Sequence, residues 1–122
     1  MMRTSIAKIA ASLAFALAAG AAHAHAQLER ATPSVGGTVA SAGEIRLKFS
    51  EGVEPRFSGV ALTSESGEAT PLGAPSVDPA DNSVLIVKVG KALAAGVYTV
   101  NWRAVSVDTH KTQGSFSFTV KP

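Results

Sequence analysis

The chain has 122 residues, no cysteine, and 11 lysines and arginines against 9 aspartates and glutamates. That is enough for one small domain, and without disulfide staples its fold has to rest on an apolar core. No basic run interleaves with aromatic residues, which excludes an electrostatic nucleic-acid surface.

Residues 1–24 read as a secretory leader. Arg3 and Lys8 form a charged start, an Ala- and Leu-dominated apolar stretch follows to Ala22, and Ala22-His23-Ala24 fits a small-x-small cleavage pattern. The stretch is shorter than the roughly 20 apolar residues that span a bilayer. Removing the leader takes Arg3 and Lys8 with it, leaves nine cations and nine anions, and makes the exported domain, residues 25–122, about neutral. Both methionines, Met1 and Met2, lie in the leader. Any metal site in the exported domain is therefore built from nitrogen and oxygen donors, which favour an oxidised or borderline ion over a soft one.

Beyond the leader, the chain reads as strands punctuated by turns. Residues 27–31 are a short extended segment anchored by Leu28, and Thr32-Pro33-Ser34 and Gly36-Gly37 are turn chemistry. Residues 44–50 alternate cleanly, with Ile45, Leu47 and Phe49 inward and Arg46 and Lys48 outward. Residues 58–63 form another strand, with Val60 and Leu62 on one face. Residues 64–67 read as a hairpin turn, and 68–72 as a return strand that Pro71 confines to an edge. Residues 75–82 have loop composition. The Val- and Leu-rich residues 83–89 predict a central strand, and residues 90–96 a loop with a helical turn at 91–94. Residues 97–107 form a long strand with Val100, Trp102, Ala104 and Ser106 on one face; 111–114 read as a turn; and 115–121 end the domain with Phe116, Phe118 and Val120 buried. About seven short strands, Gly/Pro turns and no other helix predict an all-β, seven-stranded antiparallel Greek-key sandwich or barrel.

Chemistry concentrates at two places. Asp108 and His110 stand two residues apart at the end of the long strand; in extended chain that spacing places both side chains on one face. A carboxylate with an imidazole suits Cu(II), Zn(II) or Ni(II). Cleavage after Ala24 makes His25 the first residue of the exported chain, so that a freed α-amine and an imidazole can chelate one ion together. The set then becomes three nitrogens and an oxygen, a tetragonal donor set that favours Cu(II) or Ni(II). Cleavage after Ala22 leaves His23-Ala24-His25 instead, which also binds Cu(II). The blander readings are a surface histidine, a turn-capping Asp108 and a solvated Glu51.

His25-Ala26-Gln27-Leu28, Ala31-Thr32-Pro33, Phe49-Ser50-Glu51, the Trp102-Arg103-Ala104-Val105-Ser106 run up to Asp108-Thr109-His110, and Gly114-Ser115-Phe116 together resemble the CopC family of periplasmic copper-binding proteins over essentially the whole exported chain. The resemblance implies a cupredoxin-like β-barrel that binds Cu(II) through His25, Asp108 and His110, with Glu51 as an axial or nearby donor. It also implies copper resistance or homeostasis as the role and a CopD-like inner-membrane transporter as the partner. The methionine-rich Cu(I) loop of some members has no counterpart, since residues 64–81 contain no methionine. A non-catalytic, monomeric periplasmic protein is expected. Two rivals are a His-brace copper oxygenase and a metal-free immunoglobulin-like module. No Ser or Cys nucleophile pairs with a base here, since His25 and His110 are the only histidines of the exported chain.

Overall fold

The computed structural model describes residues 26–122. The leader, its cleavage point and His25 lie outside these residues. Among the described residues nine strands follow one another: β1 (Leu28–Thr32), β2 (Thr38–Val39), β3 (Glu44–Phe49), β4 (Gly59–Ser64), β5 (Ala69–Thr70), β6 (Ser76–Asp78), β7 (Asp81–Lys88), β8 (Gly96–Val105) and β9 (Lys111–Val120). They build two facing sheets in the orders β1-β3-β7-β6 and β2-β9-β8-β4-β5. The predicted all-β sandwich is the observed one. The strand count exceeds seven because the short β2, β5 and β6 add to the longer strands, and β2 runs parallel to β9 while the other pairings are antiparallel.

The core follows from strand alternation. Ile45, Leu47 and Phe49 are 0% exposed, while Arg46 and Lys48 between them face outward. Burying each such apolar side chain contributes about 1.5–3 kcal/mol. From the other sheet Tyr98, Val100, Ala104, Phe116, Phe118 and Val120 close the same core. Phe49 meets the Trp102 ring edge-on at 5.2 Å across the two sheets. Trp102 stands opposite Gly114 in the β8–β9 ladder. A Cβ at Gly114 would lie 2.7 Å from Trp102 Cζ2, so glycine is what lets the indole lean on the neighbouring strand. Outside, Arg46 pairs with Asp78 at 2.6 Å and Lys48 reaches Asp81 and Ser83, tying β3 to the strands beyond it.

Four local expectations change. Residues 111–114 are strand, not turn. Lys111, Gln113 and Ser115 face solvent, and the inward positions hold Thr112 and Gly114 rather than apolar residues, which hides the alternation. The 75–82 loop contains β6, and β7 begins at Asp81. Residues 91–94 make no helical turn; the chain bends there and the Tyr98 hydroxyl donates to the Ala94 carbonyl at 2.8 Å. The return strand β5 is two residues long at the sheet edge and stops before Pro71. Among the described residues no helix is long and apolar enough to cross a membrane.

Candidate metal centre

Strands β8 and β9 pair without interruption from Gly96↔Val120 to Val105↔Lys111. The only chain left to reverse direction is residues 106–110, and this tight connection carries Asp108 and His110. Thr109 N–H donates to the Ser106 carbonyl at 2.8 Å, and Ser106 N–H donates to the His110 carbonyl at 2.9 Å. Thr109 has φ 71°. A turn followed by a left-handed residue is a common way to close a hairpin, and glycine is the usual occupant of that last position. A β-branched residue there is strained; the Thr109 hydroxyl donates to the Asp108 carbonyl at 2.6 Å.

Asp108 and His110 do meet, but not for the reason extended chain would supply. The left-handed step at Thr109 folds the two side chains together, and Asp108 Oδ1 lies 3.2 Å from His110 Nδ1. Both remain half open to solvent, 47% and 53% exposed respectively. The Ser106 hydroxyl donates to the same Oδ1. That bond is the main reason the Asp108 carboxyl is lowered to about 2, against partial desolvation; His110 lowers it further, and Glu51 lies close enough to Asp108 to contribute.

Glu51 arrives from the segment after β3. That segment is stitched to the hairpin tip: Val107 N–H donates to the Gly52 carbonyl at 3.0 Å, Glu54 N–H to the Val105 carbonyl at 2.8 Å, and Val53 bridges Ser106. The Ser58 hydroxyl accepts the Val105 N–H at 3.0 Å and donates to the Glu54 carbonyl at 2.8 Å. Glu51 Oε1 is buried with no hydrogen-bond partner among the described residues. Among those residues, no three His, Cys, Asp or Glu side chains gather tightly enough to hold an ion. Asp108 and His110 are a pair, with Glu51 beside Asp108.

The start of the described chain lies at this same end. Gln27 N–H donates to Ser50 Oγ and Ser50 N–H donates to the Gln27 carbonyl, both at 2.8 Å, and Ala26 is fully buried. Ser50 directly precedes Glu51. A cleft of about 510 Å³ lined by Thr32, Pro33, Ala42, Glu44 and Lys88 lies toward the other end of β3, away from the pair.

Two donors bound about 2.0–2.2 Å from one ion, on adjacent corners of a tetragonal site, are roughly 3 Å apart by geometry. The Asp108–His110 spacing is close to that separation, and it is equally that of an ordinary ion pair. Strand alternation assigns Ser106 to the inward face and gives it no role. The available signal was a hydroxyl two residues before an aspartate at a buried strand end.

The described residues form a small β-sandwich with an open nitrogen–oxygen pair at a hairpin tip, and comparison with known proteins narrows its class. The CopC domain profile matches residues 28–121. Copper resistance protein C of Xanthomonas campestris pv. juglandis is 38% identical over 122 residues, covering 96% of both chains. Protein YobA of Escherichia coli K12 is 41% identical over 99 residues, 80% of each chain. Among solved structures, PcoC, a methionine-rich copper resistance protein from Escherichia coli, superposes with a TM-score of 0.72 at 35% identity, covering 80% of this chain and 100% of that one. CopC from Methylosinus trichosporium OB3b superposes with a TM-score of 0.74 at 31% identity, covering 80% and 95%. The chain belongs to the CopC domain family, a cupredoxin-like β-sandwich family that includes copper resistance proteins.

Proposed function

We propose that this chain is an exported, periplasmic Cu(II)-binding protein that sequesters and hands over copper, and that it does not catalyse a reaction. The observation that carries the reading is the Asp108–His110 pair, preset 3.2 Å apart on a braced turn at the end of the sandwich where the described chain begins. His25 precedes Ala26 in sequence, so cleavage after Ala24 would deliver an amine and an imidazole to this end. Those two nitrogens, His110 and Asp108 make a three-nitrogen, one-oxygen set, and copper(II) heads the affinity order for such donors. The unpartnered buried oxygen of Glu51 supports reading that residue as a further donor or as an acceptor for an N–H of the chain start.

Copper is cargo in this reading. The half-open ligands are accessible to an accepting partner, as exchange requires. A copper transport protein of Bacillus subtilis, CutJ, matches 80% of this chain at 26% identity over only 18% of its own length. A match to one part of a longer copper transport protein supports copper transport as the setting; a CopD-like inner-membrane transporter as the partner rests on the family resemblance. Oxidised copper is favoured because the chain after Met2 contains no methionine or cysteine, unlike the methionine-rich PcoC.

Equilibrium dialysis of the processed protein against Cu(II) is the test. One retained equivalent, lost on His110→Ala, is expected; no retained copper overturns the proposal. Ascorbate-driven peroxide formation by the copper form, well above that of free copper, would point to an oxygenase instead.

A further inference from the structure

Ser106 is fully buried, one residue past the end of β8 and in line with inward-facing Val100 and Ala104. A hydroxyl in such a place costs stability unless its hydrogen bonds are made. Here they are made entirely within the hairpin tip. The hydroxyl donates to Asp108 Oδ1, accepts the His110 N–H at 3.1 Å and lies 3.3 Å from the His110 carbonyl. The main chain does the same: Ser106 N–H donates to His110, and its carbonyl accepts from Thr109. One residue, anchored in the core and bridged to Val53, therefore grips Asp108 by its carboxylate and His110 by its backbone.

Resting on the Cu(II) reading above, we propose that Ser106 is the positioning residue of the site: its buried hydroxyl holds the Asp108 carboxylate and the His110 backbone so that both donors stand ready before copper arrives. The physical gain is preorganisation. Asp108 and His110 are half exposed and would otherwise sample several rotamers, whose loss would weaken binding. With Oδ1 held by the hydroxyl, the carboxylate cannot swing away from the ring. Residues that orient metal ligands through one hydrogen bond typically change affinity by about 10–100-fold when removed. A residue that merely shaped the turn would alter the apo melting temperature and leave the copper coordination unchanged.

The experiment uses the processed protein, checked by intact mass to begin at His25. Cu(II) affinity is measured by chelator competition, and the electron paramagnetic resonance spectrum is recorded at saturating copper. Ser106→Ala is expected to weaken affinity by about 10–100-fold and to shift the copper hyperfine splitting. Ser106→Thr, which keeps the hydroxyl, is expected to retain both. In an Asp108→Ala background the Ser106→Ala factor should shrink, because the hydroxyl acts partly through that carboxylate. Unchanged affinity and spectrum in a folded Ser106→Ala protein overturns the proposal, as does the same loss with and without Asp108. If Ser106→Ala fails to fold, Ser106→Thr decides: parental binding supports the role, and a folded Thr variant that has lost it overturns it. A parent protein that retains no copper overturns the functional reading itself, an outcome distinct from all of these.

Discussion

Gln27 and Ser50 hold each other twice, main-chain N–H to hydroxyl and N–H to carbonyl, both at 2.8 Å. The clasp fixes the first described residues beside Glu51. A single glycine added ahead of His25 leaves this clasp untouched but converts the freed amine into an amide. Cu(II) affinity is expected to fall by at least about a hundredfold, with the apo melting temperature unchanged. Chelator competition and differential scanning calorimetry on the extended and parent proteins check both halves.

His110→Ala is expected to abolish tight Cu(II) binding while costing no more than about 0.5 kcal/mol of apo stability, the usual range for an exposed substitution. The His110 ring is 53% exposed, and the turn is closed by the residue's backbone, which alanine retains. Urea denaturation followed through Trp102, the chain's one tryptophan, reads the stability.

Thr109→Gly is expected to raise apo stability by up to about 1 kcal/mol, by relieving a β-branched residue of a left-handed conformation. The gain is partial because glycine gives up backbone entropy and the Thr109 hydroxyl bond to the Asp108 carbonyl is lost. A fall in stability would show that this hydroxyl bond outweighs the strain.

Gly114→Ala is expected to destabilise the fold by about 1–3 kcal/mol, the cost of overpacking. The added methyl would press on Trp102 Cζ2 at 2.7 Å, and the contact blocking it is a ring packed on Phe49, not a flexible tip. The urea midpoint should drop with the slope unchanged.

Asp108 titrates at about 2 in the folded chain, below its ordinary 3.8. A depressed folded value means the unfolded state binds more protons as pH falls. The stabilisation from this group is thus complete above about pH 4 and is lost as pH falls toward 2. Asp81 is lowered too, chiefly by its hydrogen bonds to Ser83, and acts in the same direction. In Asp108→Asn the melting temperature of the apo protein should fall less steeply than the parent's over the acid range. An identical slope would remove Asp108 from the acid response.

How much of this was written along the chain depends on the range of the interaction concerned. The alternation of Ile45, Leu47 and Phe49, the inward run of Val100, Trp102 and Ala104, and the proline that truncates β5 are nearest-neighbour patterns, and a strand's period of two displays them directly. They determined the sandwich, and Asp108 and His110 were visible as donor types at one strand end. The short β2 and β6 and the first residues of β9 were not legible, because their polar or small residues are held by partners far away in sequence. The site was only half legible for the same reason. That the pair meets through a left-handed Thr109, that the Glu51 segment is held at the hairpin tip by the Val107 N–H donating to the Gly52 carbonyl, and that a buried Ser106 bonds the Asp108 carboxylate and the His110 backbone are decided by tertiary contacts. A donor's identity belongs to the residue, whereas its distance to another donor belongs to the backbone that carries both.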